Sequence, residues 1–229
     1  MSDLPARRDE VPGERFEGTR RLCCELVGST GIDGAGVALF ASELTRDLIF
    51  VTDSVAEELD EIQFTVGEGP CMDAFRFHRP ELHDDIVAGD VLVRWPIFST
   101  QAAALGVASV YAYPLVSEGT PFGVLELFGR APVALAPRED VTVRLYAESI
   151  GRAVVSELDP VYALLPGSDD GVFRRGNVNV VVGIVAVQLG VPVEEALVRL
   201  RARAFSRQRR ITVIARDIVH GALFDAEIE

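Results

Sequence analysis

A chain of 229 residues, 48% of them hydrophobic, suits one large domain or two smaller ones and is too apolar for wholesale disorder. Its three cysteines, Cys23 and Cys24 adjacent and Cys71 alone, exclude a disulfide framework; they read as small buried residues, with a redox sensor as the alternative. The net charge of −13 contains no lysine and is unevenly spread, 13 Arg against 29 acids (net −16) in residues 1–170 and 9 Arg against 6 acids (net +3) in residues 171–229, so an acidic body carries a basic tail suited to a polyanion.

In chain order, residues 13–29 predict a helix with apolar positions at Phe16, Leu22, Leu26 and Val27. AGVALFAS and DLIFVTDS follow as two strands joined by the polar turn ELTR, and AEELDEIQF as a short helix. The glycine- and proline-rich VGEGPCMDAFRFHRPELHDD predicts a loop with one helical turn. RWPIFSTQAAALGV opens a helix, with Pro96 tolerated in its first turn. VASVYAYPLVS and TPFGVLELFGR form a strand pair about SEGT, and APREDVTVRLYAESIGRAVVSEL is a long helix with acids in its first turn. Two prolines, three glycines and an acid cluster mark residues 159–176 as a linker.

NVNVVVGIVAVQLG asks for a strand by its valines, but it is about twice the usual strand length and no partner strands follow. Valine costs a helix about 0.6 kcal/mol relative to alanine, whereas burying each side chain returns about 1.5–3 kcal/mol. The segment is therefore expected to be a helix ended by Gly190 and Pro192. Val178, Val182, Val185 and Leu189 line one stripe; Val180, Ile184 and Val187 line the opposite side and need a second partner, either another copy of the chain or the first domain in an autoinhibited state. VEEALVRLRARAFS buries Ala196, Leu197, Leu200 and Ala204, and a last helix capped by Thr212 turns Ile214, Ile218 and Val219 inward before Gly221. The polar amino terminus has no secretory pattern, and the run Val178–Val187 falls short of the ~20 residues of a membrane helix, so a soluble cytoplasmic protein without membrane contact is expected.

The elements GEGPC, RWP, GVASVYAYPL and FGVLELF within about residues 12–157 resemble a GAF sensory domain of bacterial regulators. This resemblance implies a central antiparallel sheet flanked by helices and a small-molecule or protein signal. The tail from about 172 to 224 resembles an ANTAR domain, the RNA-binding antiterminator module, at Gly183, Leu189, Gly190, Ala196, Leu200, Arg201, Ala204, Phe205, Arg209 and Ala215. The expected architecture is α+β: a GAF domain over 12–157, a linker over 158–171 and a three-helix ANTAR bundle over 172–224.

The implied function is a signal-responsive transcription antitermination regulator that binds hairpin loops of nascent RNA, as a homodimer. Seven arginines and no acid lie between Arg199 and Arg216. Guanidinium groups both pair with phosphates and stack on splayed bases, so Arg199, Arg201, Arg203, Arg207, Arg209 and Arg210 are candidate RNA contacts, with a solvated face as the alternative; the resemblance adds Gly183, Ala204 and Phe205, the last with a core role as its alternative. Val180, Val181 and Val182 stand where ANTAR domains usually show a polar residue and an alanine, and Pro192 where a Ser or Thr cap is common. These departures motivate an alternative: a small-molecule sensor or protein-interaction module whose tail no longer binds RNA.

In the first domain Glu68, Cys71, Trp95 and Tyr113 are candidate pocket residues, with turn and core roles as the alternative. His78 and His83, five residues apart across a proline, match no metal-site spacing and are expected to be solvent-facing or structural. With no phosphate-binding loop, nucleophile elbow or zinc spacing, neither an enzyme nor a cofactor or metal is expected.

Overall fold

The computed structural model describes residues 16–42, 45–158 and 175–219. The expected linker, the ELTR turn tip and the Gly221 cap lie outside them or only partly within. The first unit runs α1 (Glu17–Ser29), β1 (Gly34–Phe40), β2 (Arg46–Val51), α2 (Ser54–Val66), α3 (Pro70–Phe77), β3 (Glu81–His83), α4 (Gly89–Arg94), α5 (Pro96–Ala104), β4 (Ser109–Ser117), β5 (Thr120–Gly129) and α6 (Pro137–Glu157). The strands form one antiparallel sheet in the order β2-β1-β5-β4-β3. The α+β expectation therefore holds for this unit. The stretch expected as loop is more ordered: Pro70 at the first helical position starts the two-turn α3, and Glu81–His83 pair with β4 as an edge strand.

Strand alternation sends side chains to two covered faces. On one, Val37, Tyr113, Leu125 and Leu127 meet Leu26 of α1 and Val143, Ile150 and Val154 of α6. The Glu157 carboxylate at the end of α6 accepts from the Gly18 and Thr19 N–H groups at 2.6 and 3.2 Å, which satisfies two of the free N-terminal donors of α1. On the other face, Val110 and Phe128 pack with Trp95, Phe98 and Leu59, while Ala38, Ala112 and Val124 lie under α3.

Three further helices follow: α7 (Gly176–Leu189), α8 (Val193–Ser206) and α9 (Ile211–Val219). The valine-rich segment is helical, and Gly190 ends it in the left-handed conformation at φ 65°. Val178, Val181, Val182 and Val185 share a core with Leu197, Leu200, Ile214 and Ile218, and Phe64 of α2 is inserted into it. Val180, Ile184 and Val187 stay exposed. The first domain covers α8 instead, through α2, so the expectation that it might cover the second face of α7 is corrected. Thr212 is also corrected: α9 begins one residue earlier, and the Thr212 hydroxyl donates to Glu61 of α2 at 2.8 Å rather than capping. Val219, expected inside, is exposed.

Candidate functional site

The four pocket candidates do not converge. Tyr113 lies on the α1/α6 face and donates to Asp140 at 2.8 Å. Glu68 accepts from the Ile97 and Phe98 N–H groups at 2.7 and 3.0 Å, a cap on α5 that suits a carboxylate at a helix N-terminus. Trp95 is buried under the opposite face and donates to Asp73 at 3.1 Å. Cys71 is buried, its sulfur 3.4 Å from Arg46 Nη1, and burial pushes its thiol well above the ordinary range, the opposite of a reactive thiolate. Of the histidines, His78 ends α3 in the left-handed conformation, exposed, while His83 sits between Glu81 and the edge of Trp95.

What does converge is a set of charged side chains between the sheet and α2. The apolar stripe of α2, Ala56, Leu59, Ile62 and Phe64, is interrupted on its buried side by Asp60, Glu61 and Gln63. Gln63 donates to Glu126 of β5 at 2.6 Å and accepts from the Cys71 N–H at 2.8 Å, tying α2 to the sheet centre and to α3. That bond sets the GEG turn: at Gly69, φ 137°, an added Cβ would lie 2.4 Å from the Gln63 amide oxygen. Arg46 of β2 is fully buried, with Nη2 2.6 Å from the Asp60 carbonyl and 2.8 Å from Asp60 Oδ1.

The second cation in this recess comes from the far side of the chain. Arg175, just before α7, pairs through Nη2 with Asp60 and lies 3.4 Å from Glu61; its own N–H faces both Asp47 oxygens at 3.2 and 3.3 Å. Its guanidinium stands 3.9 Å over the Phe64 ring, at cation–π distance. Burial raises the Asp47 carboxyl to about 7 against the pull of Arg175, and burial raises Glu126 to about 7 as well.

Arg201 of α8 docks beside this recess. Its Nε donates to the Phe64 carbonyl at 3.0 Å, and its Nη2 is buried with no hydrogen-bond partner among the described residues. A Cβ on Gly67, already at φ 78°, would come within 2.8 Å of its Nη1. Burial, then the positive charges of Arg46, Arg175 and Arg76, lower its guanidinium to about 10.

The remaining residues of the expected RNA set are dispersed. Arg210 pairs with Glu58 of α2, Arg209 with Asp217 of α9, and Arg199 with Glu195 one helical turn away at 2.7 Å. Arg203 is half-buried and Arg207 exposed at the end of α8. Ala204 is fully buried in the bundle core, so it serves packing there, whereas Phe205 is half exposed. Gly183 has open space where a Cβ would stand. A cleft of about 630 Å³ opens between α2 and the α8–α9 turn, lined among others by Glu58, Glu61, Ile62, Phe205 and Arg210.

Asp47, Asp60, Glu61, Glu126, Arg46 and Arg175 are absent from the sequence-derived candidates. A signal was present: Asp60 and Gln63 occupy helix-stripe positions beside Leu59 and Phe64, and Glu126 interrupts the apolar run of β5.

A five-stranded antiparallel sheet with helices on both faces and a polar recess under one of them defines a sensory-type α+β domain. Residues 16–155 match the GAF domain family, and the chain belongs to it. Solved structures of similar fold include the GAF domain of a phosphoenolpyruvate-protein phosphotransferase from Coxiella burnetii (13% identity, 66% of this chain and 86% of that one, TM-score 0.50). Another is the type II free methionine-R-sulfoxide reductase of Thermoplasma acidophilum (13% identity, 62% of this chain and 92% of that one, TM-score 0.44). At such identities the likeness is one of fold. No curated protein matches the chain. Among the described residues no single helix is long and apolar enough to cross a membrane.

Proposed function

We propose that this chain is a signal-responsive transcription antitermination regulator: its GAF domain reads a small-molecule or protein signal, and α7–α9, as an ANTAR-type module, bind hairpin loops of nascent RNA. The work is binding in the cytoplasm, not catalysis. The observation that carries this reading is the seat of Arg201. A guanidinium buried against a backbone carbonyl, with one nitrogen unpartnered among the described residues and three like charges nearby, sits at an energetic disadvantage that water or a phosphate would relieve. The docked arrangement thus stands for the silent state, in which the acidic α2 holds Arg201 and Arg210 away from RNA. The signal acts by favouring the undocked population. A homodimer is part of the proposal, with Val180, Ile184 and Val187 of α7 or Val141, Leu145 and Val155 of α6 as its apolar surface.

The burial of Ala204 and the contact of Arg201 with the Phe64 carbonyl favour one other reading, a sensor or interaction module whose tail has lost RNA binding. The double replacement Arg201→Ala with Arg209→Ala separates the two in a hairpin-RNA binding titration. The antiterminator loses about two phosphate contacts, so affinity falls and the slope of log affinity against log salt shrinks by about 1.4. A salt slope near zero both in the unsubstituted chain and in Arg175→Gln, which lacks the docking ion pair with Asp60, selects the second reading.

A further inference from the structure

Arg175 points into the GAF domain and occupies the recess as a bound ligand would. The recess offers an aromatic floor, Phe64, beneath the guanidinium, and the carboxylates of Asp60 and Glu61 beside it, while Asp47 holds the Arg175 backbone N–H. Such a combination selects an organic cation over a compact hydrated ion, because the flat, weakly hydrated guanidinium gains from the ring face and from paired carboxylate oxygens together. The side chain of Arg175 is 2% exposed, yet its Nη1 has no hydrogen-bond partner among the described residues. A guanidinium tethered to the backbone cannot turn to satisfy its last donor; an untethered one can.

Glu61 is the side chain shared between the recess and a neighbouring cleft. Glu61 faces Arg175 with Oε2 and accepts from Thr212 with Oε1, and the same residue lines the cleft between α2 and the α8–α9 turn. Glu58, one turn earlier on α2, lines that cleft too and carries Arg210.

We propose that the recess formed by Asp60, Glu61 and Phe64 is a binding site for a small organic cation with a guanidinium head group, held in cis by Arg175 until that ligand displaces it. Displacement removes the anchor at the start of α7 and releases Arg201 from the Phe64 carbonyl. Only this last consequence rests on the antitermination reading; the binding itself does not. An internal competitor weakens the apparent affinity by the fraction of time the recess is empty, so removing its side chain strengthens the ligand.

The test is a calorimetric titration of the full chain with agmatine, against sodium chloride at matched ionic strength, for wild type, Arg175→Ala, Arg175→Gln and Arg175→Gln with Asp60→Asn. Both single variants are expected to bind agmatine about ten-fold or more tighter than wild type, and the added Asp60→Asn to abolish the gain. Arg175→Gln keeps most of the stem in place and decides the matter if Arg175→Ala does not fold. Agmatine binding no tighter than in wild type, or heat reproduced by sodium chloride, overturns the proposal. Tight binding in the variants with no hairpin-RNA affinity in any form supports the recess and overturns the antitermination reading instead.

Discussion

The two faces of the GAF sheet solve the same packing problem with different chemistry. Toward α1 and α6 the sheet buries Val37, Leu125 and Leu127 against Leu26, Ile150 and Val154, contacts that are non-directional and tolerate repacking of similar volume. Toward α2 it buries Arg46 and Glu126, which meet Asp60, Gln63 and Cys71 through directional bonds. The second face is also where α7–α9 attach, since Asp60 pairs with Arg46 of its own domain and with Arg175 from beyond it. A purely apolar face binds its cover whatever the ionic conditions; a face that shares one carboxylate between folding and docking can be addressed by charge.

The largest expected effect breaks that sharing. Asp60→Ala leaves two buried guanidinium groups without their common carboxylate and should cost about 3–5 kcal/mol in urea unfolding. A loss below about 1 kcal/mol would show the charged face to be as forgiving as the apolar one.

A smaller effect should appear in pH. Folded Asp47 and Glu126 titrate near 7, above their ordinary carboxylate values, so in the window from about 4 to about 7 the folded chain holds protons that the unfolded chain has lost. Stability is therefore greatest on the acid side and falls as pH rises through 7, by at most about 1.4 kcal/mol per pH unit for each group. Burial sets both values first; the charged neighbours are Arg175 and Asp60 for Asp47, and Asp60 and Arg46 for Glu126. Glu126→Gln keeps the acceptor for Gln63 and should remove about half of the slope; an unchanged slope in thermal melts at pH 5, 6 and 7 would assign it elsewhere.

The smallest effect concerns the rim. Glu58 and Arg210 are 28% and 47% exposed, so Glu58→Ala should change unfolding free energy by only about 0–1 kcal/mol. A loss as large as that of Asp60→Ala would place the docking energy at the rim instead of the recess.

Much of this was legible in the residues. The strands about ELTR and SEGT, the long helix of α6 and the helical reading of the valine run all follow from periodicity and from glycine at the helix end. The charged recess was only half legible: Asp60 and Glu126 show as polar residues in apolar positions, but their partners Arg46 and Arg175 lie 14 and 115 residues from Asp60. Glu68, Cys71, Trp95 and Tyr113 look alike as candidates in one dimension, yet Tyr113 points through the opposite face of the sheet, because alternation along β4 outweighs nearness to the other three.

Sequence by itself determined most of the helices and strands, though not α3, β3 or α4, where the acidic body gives way to a basic tail, and that the tail is built on valine, alanine and arginine. These are local or compositional properties, set by side-chain period and charge count. Only the tertiary structure decided that the basic tail turns Arg175 and Arg201 inward onto α2 and leaves the second face of α7 uncovered. Ion pairs and carbonyl contacts between residues more than a hundred positions apart depend on how the chain closes upon itself, and no periodicity encodes that closure.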